Sequence, residues 1–300
     1  MSTLLEEGYE ALLNDVIRVG AVRTLYQPIV DLESFEVVGY EALARGPEGS
    51  RLEQPHLLFE TARACGRLDD LDWLCRTTAL TGALEAGLKQ GTSLFLNVEP
   101  AALASPLPHS YWRVWERSRR ELSVLFEVTE RALTASPASL LRRCEEIREL
   151  GWGIALDDVG VAPSSLAMLP LLRPDVIKLD RLLMSKDAGR LRNRIVHAVS
   201  AEHERRGTAV VAEGIENEDH IELALAMGAT LGQGWFFGRP DGLPSSPVQP
   251  DNPIAVRRIR PTADANATPF TMLSEKRPTR VGTKRVLREM TRHLEEQLLT

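Results

Sequence analysis

An irregular (β/α)8 TIM-like barrel of the α/β class, with an N-terminal lead-in helix and a C-terminal extension, is the fold the sequence predicts. Three observations carry the prediction. Eight short apolar runs recur between residues 25 and 237, and from the third onward helix-patterned stretches separate them. The runs are nearly continuous in Val, Ile and Leu instead of alternating with polar residues, the pattern of parallel strands covered on both faces. Polar residues that are costly to bury fall toward the carboxyl ends of the runs, the ends at which barrels gather their chemistry.

Taken in order, residues 1–19 place Leu4, Leu5, Tyr9, Leu12, Leu13, Val16 and Ile17 at helical spacing and form the lead-in helix. The barrel domain, residues 20–246, opens with LYQPIVDL at 25–32 and VVGYEALAR at 37–45. The short link from Glu33 to Glu36 makes this pair a hairpin and the start of the barrel irregular. SLFLNV (93–98), SVLFEVTE (123–130), GIALDDV (153–159), VIKLD (176–180), AVVAEGI (209–215) and LGQGWFF (231–237) supply the other strands. After Pro240 the stretch DGLPSSPVQPDNP continues neither element, which sets a boundary near Ser246. Residues 247–300 are then a Pro/Ser-rich linker and a basic tail. Val286, Leu287, Met290, Leu294 and Leu298 form an apolar stripe there, expected to dock elsewhere or to open a further domain.

With 300 residues, 43% hydrophobic and 26% charged, the chain is neither disordered as a whole nor a collagen or disulfide scaffold. Its net charge of −6 divides into +4 for residues 251–300 and −10 for the rest, which argues against a globally basic face for DNA or RNA polymers. Cys65, Cys75 and Cys144 have no CxxC spacing and read as thiols of a reducing cytosol. The start, MSTLLEEGYE, is acidic where a signal peptide is basic, and no apolar run approaches the ~20 residues of a membrane span. A cytoplasmic protein with no membrane partner is expected.

The polar residues of the runs are Glu41, Asn97, Glu127, Glu130, Asp157, Asp158, Lys178 and Glu213. Converging carboxylates repel one another unless a cation neutralises them, and an oxygen donor set without Cys or His favours Mg²⁺, Mn²⁺ or Ca²⁺ over Zn²⁺. The adjacent Asp157 and Asp158 suit two ions ~3.5–4 Å apart, an arrangement that serves phosphate ester hydrolysis. A lysine on an apolar strand requires an anionic neighbour. Spacing alone does not fix which residue is the base.

The run YEALAR at 40–45 resembles the signature of the EAL-domain family, phosphodiesterases that linearise the bacterial second messenger cyclic di-GMP. YQPIVDL (26–32), LNVEP (96–100), FEVTE (126–130), LDDVG (156–160), VIKLD (176–180), VVAEGIE (210–216) and GQGWFFGRP (232–240) are similar to its further motifs, in the family's order. Eight ordered motifs are specific where three letters are not. The resemblance implies that Glu41, Asn97, Glu127 and Asp157 are metal ligands, with Asp158 and Glu213 completing a second metal site. It makes Lys178, Glu213 and Glu41 the catalytic group and Gln27, Leu43, Arg45 and Gln233 the substrate-contacting positions. Glu130 becomes the glutamate that steadies the loop after Asp158. Two ions, Mg²⁺ or Mn²⁺, with Ca²⁺ as an inhibitor, a homodimer, and water attack on cyclic di-GMP to give linear pGpG complete the implied picture.

One segment departs from the family. Where DDFGTGYSSL is usual, this chain has Asp157-Asp158-Val159-Gly160-Val161-Ala162-Pro163-Ser164-Ser165-Leu166, which lacks a threonine hydroxyl, a glycine and both aromatics. A catalytically weak or inactive cyclic di-GMP receptor that regulates its C-terminal extension is the alternative this opens, and a dimerisation scaffold is a third reading. Plainer roles also exist: Lys178 with Asp180 as a surface ion pair, Arg45 with Glu48 likewise, Glu130 at a helix start, and Asp157 and Asp158 as turn caps. Asp69, Asp70 and Asp72 beside Arg67 read as a solvated helix face, and Tyr111, Trp112 and Trp115 among four arginines as an amphipathic barrel helix or dimer surface. Arg257, Arg258 and Arg260 read as a linker charge run.

Overall fold

Apolar strands without an alternating polar face need cover on both sides, and the chain provides it by closing its strands into a ring wrapped in helices. The computed structural model describes residues 2–254, apart from 100, 101, 103, 104, 136, 162–165, 167, 168, 186, 187, 246, 248 and 252. Eight strands close a barrel in sequence order: β1 (Arg23–Asp31), β2 (Val37–Arg45), β3 (Ser93–Asn97), β4 (Ser123–Thr129), β5 (Gly153–Val159), β6 (Val176–Leu179), β7 (Ala209–Ala212) and β8 (Leu231–Gln233). Neighbours from β2 to β8 are parallel, whereas β1 is antiparallel to both β2 and β8. The parallel sheet thus holds for seven strands, and the first pair is the expected hairpin. Asp31 Oδ1 accepts the amides of Glu33 and Ser34 across its turn, each at 2.9 Å.

The runs overrun the strands at six places, by one residue in β1, β3, β4 and β6 and by more in β7 and β8. β4 stops at Thr129 because Glu130 opens a helix; β7 stops at Ala212 and β8 at Gln233, where the backbone turns inward to the mouth. Nine helices follow the chain among the described residues: α1 (Ser2–Val19), α2 (Pro55–Ala64), α3 (Leu68–Glu85), α4 (Trp112–Glu121), α5 (Glu130–Ala135), α6 (Pro137–Glu149), α7 (Leu169–Leu172), α8 (Gly189–Arg206) and α9 (Glu218–Ala226). Among the described residues no helix is long and apolar enough to cross a membrane.

The core has an inner and an outer part. Ile29, Phe95, Leu125, Ala155, Val176, Val211 and Leu231 fill the barrel floor, and a larger cluster lies between strands and helices. The lead-in helix α1 packs Leu13 and Val16 with Leu58 of α2 and Leu71 of α3. Helix α4 buries Trp115 in edge contact with Trp73 (4.9 Å) and Trp152 (5.1 Å) and leaves Trp112 exposed, so the tryptophan–arginine segment is an amphipathic barrel helix.

Asp72 corrects the reading of a solvated acidic face. Only Asp69 and Asp70 are exposed; Asp72 is buried, paired with Arg76 one turn on, and accepts the Glu99 amide at 3.1 Å. The chain also keeps to the barrel beyond Ser246: Asp251 N donates to Glu36 Oε2 at 3.3 Å, and Ile254 packs on the floor cluster. The tail stripe from Val286 to Leu298 and the Arg257, Arg258 and Arg260 run lie outside the described residues, as do Ala162 to Ser165.

Candidate active site

Strand periodicity builds the site. Side chains two positions apart share a face. Two steps toward the mouth from floor residues Phe95, Leu125, Ala155, Val176, Val211 and Leu231 stand Asn97, Glu127, Asp157, Lys178, Glu213 and Gln233. On antiparallel β1 the step runs the other way, from Ile29 to Gln27, which is paired with Glu41. In β2 the floor position is Gly39, where an added Cβ would press on the Phe95 ring at 3.0 Å; two steps on is Glu41, then Leu43 and Arg45.

At the centre is an ammonium. Lys178 Nζ lies 2.7 Å from Glu127 Oε1, 2.8 Å from Glu213 Oε1, 3.1 Å from Glu41 Oε2 and 3.3 Å from Asp157 Oδ1, with the lysine side chain fully buried. Glu41 is further held by Gln233 Nε2 at 2.6 Å and by Asn97 Nδ2 at 3.0 Å. Gln233 also donates to Gln27 Oε1 at 3.2 Å, and Gln27 in turn donates to the Gly238 carbonyl at 3.1 Å.

The charges respond to this crowding. Burial raises the Glu41 carboxyl, but the Lys178 ammonium and the hydrogen bonds from Gln233 and Asn97 outweigh it and leave the group below the ordinary carboxylate range. Burial, then the charges of Glu41 and Asp157, hold Glu127 well above that range against the pull of Lys178. Burial also dominates at Glu213, which is pushed up to about 8. Burial disfavours the charge on Lys178 too, but Asp157, Glu127, Glu213 and Glu41 together keep it protonated.

Asp158 adopts a left-handed φ of 57° where the β5–β6 register shifts, so the strict alternation breaks beside Asp157. Burial first, then the charges of Asp157 and Asp180, raise its carboxyl. Glu130, fully buried at the start of α5, accepts the Gly160 amide at 3.3 Å and so ties down the backbone just after the aspartates. Leu43 and Arg45 stand half-buried at the mouth end of β2; Arg45 donates to the Ala44 carbonyl, while Arg23 is the partner of Glu48. Lys178 faces the carboxylate ring, and Asp180 instead caps the turn at Arg181–Met184 through Leu182 N at 2.7 Å.

The structure gathers residues that the sequence singles out, but the hub role of Lys178 is not among the roles read from it. The resemblance places Lys178 in the catalytic group, and nothing in the spacing shows one ammonium contacting carboxylates of three strands and of the segment just past β7. Gly238 was missed as well; the glycine after GQGWFF, whose carbonyl fixes Gln27, was the available signal.

A divalent cation fits this donor set in chemistry. Among the described residues no three acidic, His or Cys groups converge as a ready cage, and the Lys178 ammonium lies among the carboxylates. Yet the donors are all oxygen, Glu127 Oε2 is a buried carboxylate oxygen with no hydrogen-bond partner, and Gln233 Oε1 is likewise unpartnered. The crowding raises Glu127 and Glu213, so added positive charge would favour their ionised, ligating forms.

The family profile of the EAL domain matches residues 10–240. The chain belongs to the EAL domain family. A cyclic di-GMP phosphodiesterase, RocR of Pseudomonas aeruginosa, is 32% identical over 75% of this chain and 60% of its own length. A probable cyclic di-GMP phosphodiesterase of Escherichia coli, PdeG, is 28% identical over 77% of this chain and 47% of that protein. This EAL domain therefore spans 60% or less of the length of these relatives. The manganese and cyclic di-GMP complex of Klebsiella pneumoniae BlrP1 aligns with a TM-score of 0.63 at 28% identity, over 74% of this chain and 56% of that one. The MucR phosphodiesterase complex with cyclic di-GMP aligns at 0.65 with 26% identity, over 77% and 97%.

Proposed function

We propose that this EAL domain is a divalent-cation-dependent phosphodiesterase that opens cyclic di-GMP to linear pGpG. The carrying observation is the ring itself: Glu41, Glu127 and Asp157 of three strands and Glu213 just past β7 converge within 3.3 Å of a single buried ammonium. Such a concentration of buried like charge is costly for stability and is the form a site for cations and phosphate takes. The likeness to RocR and to the manganese-loaded relative supports the same substrate and metal class.

In this reading Glu41, Asn97, Glu127 and Asp157 hold one cation, and Asp158 and Glu213 complete a second position. When bound, Mg²⁺ or Mn²⁺ lowers the pKa of water toward neutrality and offsets charge on the phosphorus oxygens. Glu213, which contacts Lys178 beside that position, accepts a proton from the attacking water once a bound cation has displaced its own. The guanidinium of Arg45 offers its fork to a phosphate, Leu43 an apolar contact, and Gln27 and Gln233 a linked amide pair beside Glu41. Glu130 steadies the segment that follows Asp158. The reading extends to a cytoplasmic homodimer inhibited by Ca²⁺, as the family resemblance implies.

Product analysis tests it. With cyclic di-GMP and Mg²⁺ or Mn²⁺ the protein should release pGpG, and chelator should stop the reaction; folded protein that yields no pGpG with either ion overturns the proposal.

A further inference from the structure

Lys178 Nζ stands at the centre of the carboxylate ring. Its Nζ reaches one oxygen from each of four carboxylates on β2, β4, β5 and just past β7, and its side chain has no exposed surface. Those carboxylates repel one another, and the ammonium offsets part of that repulsion. It does so incompletely, since Glu127 Oε2 stays without a hydrogen bond. It also stands among the oxygens that form the proposed ligand set.

We infer that Lys178 is a resident counter-ion: it keeps the carboxylate ring assembled while divalent cations are absent, and it gives up carboxylate contacts when they bind. Cation uptake is then an exchange of charges within a pre-gathered ring, not the filling of an open cage. A dication and an ammonium sharing the same buried oxygens repel each other strongly, so both cannot keep the full set. The inference rests on the proposed reading that the ring binds divalent cations, and its test separates the two.

The chain has five lysines, so the full-length protein labelled with ¹³C,¹⁵N-lysine gives a sparse spectrum, in which K178R identifies the Lys178 signal. Mg²⁺ is titrated in while calorimetry follows binding. The expected result is a Lys178 side-chain shift that saturates together with the heat of Mg²⁺ uptake, the other lysines staying in place. Mg²⁺ binding with an unmoved Lys178 signal overturns the inference and leaves the metal reading standing; absence of Mg²⁺ binding overturns both. K178M adds a second readout: it should melt lower than wild type in chelator, recover with Mg²⁺, and bind Mg²⁺ about tenfold more tightly once the competing charge is gone. Unchanged or weaker affinity in folded K178M also overturns it. Should K178M not fold, the wild-type spectra decide.

Discussion

Lys178 Nζ lies 2.7 Å from Glu127 Oε1 with both side chains fully buried, yet the other oxygen of that carboxylate has no hydrogen-bond partner. Burial and the neighbouring Glu41 and Asp157 raise the carboxyl far more than the ammonium lowers it. Glu127→Gln removes a carboxyl whose ionisation the fold disfavours while keeping the shape. It should stabilise the cation-free protein by about 1–2 kcal/mol, as neutralising a strained functional group commonly does. The same change should lower pGpG formation by about a hundredfold or more, because a cation donor is lost. Melting in chelator and the product assay check the two halves; a lower melting temperature would refute the first.

Much of this site was legible in the sequence because strand alternation is rigid. Asn97, Glu127, Asp157, Lys178, Glu213 and Gln233 each sit two residues past an apolar floor residue, and only one face of each strand can deliver them. The hub role of Lys178 was not legible. Its contact with Glu41 joins residues 137 positions apart, and local pattern says nothing of which of several acids an ammonium reaches. Asp72 failed for a related reason: its neighbours Asp69 and Asp70 are solvated as their composition suggests, but packing of Trp73 against Trp115 carries the inner side of α3 under cover. Strand ends were overestimated because the residues that leave β7 and β8 for the mouth, such as Glu213 and Gly234, continue runs that look uniform in sequence.

Glu213 predicts a pH dependence. Burial raises it, Lys178 opposes, Asp157 and Glu41 add to the rise, and the folded value of about 8 stands above the ordinary 4.5. The folded, cation-free protein therefore keeps this proton at neutral pH while the unfolded chain has lost it. The residue's contribution to stability accordingly falls as pH rises from about 4.5 to about 8. A cation that takes Glu213 as a donor must displace the proton, so Mg²⁺ affinity should climb with pH up to about 8 and level off above it. Calorimetry at pH 7 in buffers of different ionisation enthalpy should show proton release on Mg²⁺ binding, and Glu213→Gln should abolish it. Equal heats in all buffers for the wild type would contradict the assignment.

Gly234 closes the mouth through backbone alone. A Cβ there would fall on the Ile215 backbone, whose amide donates to the Gln233 carbonyl at 3.1 Å and whose carbonyl accepts from Phe236 at 3.0 Å. Gly234→Ala should cost about 3 kcal/mol or more, since neither backbone segment can yield without breaking that exchange. The melting temperature should drop by roughly 6–12 °C, and activity with it, as Gln233 and Glu213 flank the distorted turn. Gly8→Ala is the matched control: an added Cβ in α1 meets nothing within 4 Å, and the change should be neutral or stabilising by about 0.5–1 kcal/mol. Similar melting temperatures for the two variants would refute the steric argument.

The Asp72–Arg76 pair on α3 anchors the segment that follows β3. Both side chains are buried, at 2% and 5% exposure, and the guanidinium lies 4.1 Å from the centre of the Trp73 ring. Asp72 Oδ1 also accepts the Glu99 amide, two residues beyond Asn97, so the pair fixes the stretch of chain that presents Asn97 to Glu41. Arg76→Met strands a buried carboxylate and should cost about 3–5 kcal/mol. Because Asn97 would lose its anchor, more Mg²⁺ should be needed for half-maximal activity. Adding Asp72→Asn keeps an acceptor for Glu99 while removing the stranded charge, so the double variant should recover at least about half of the loss in denaturant titrations. A double variant no more stable than Arg76→Met would instead locate the cost in the lost stacking of arginine on tryptophan, because that contact is absent from both.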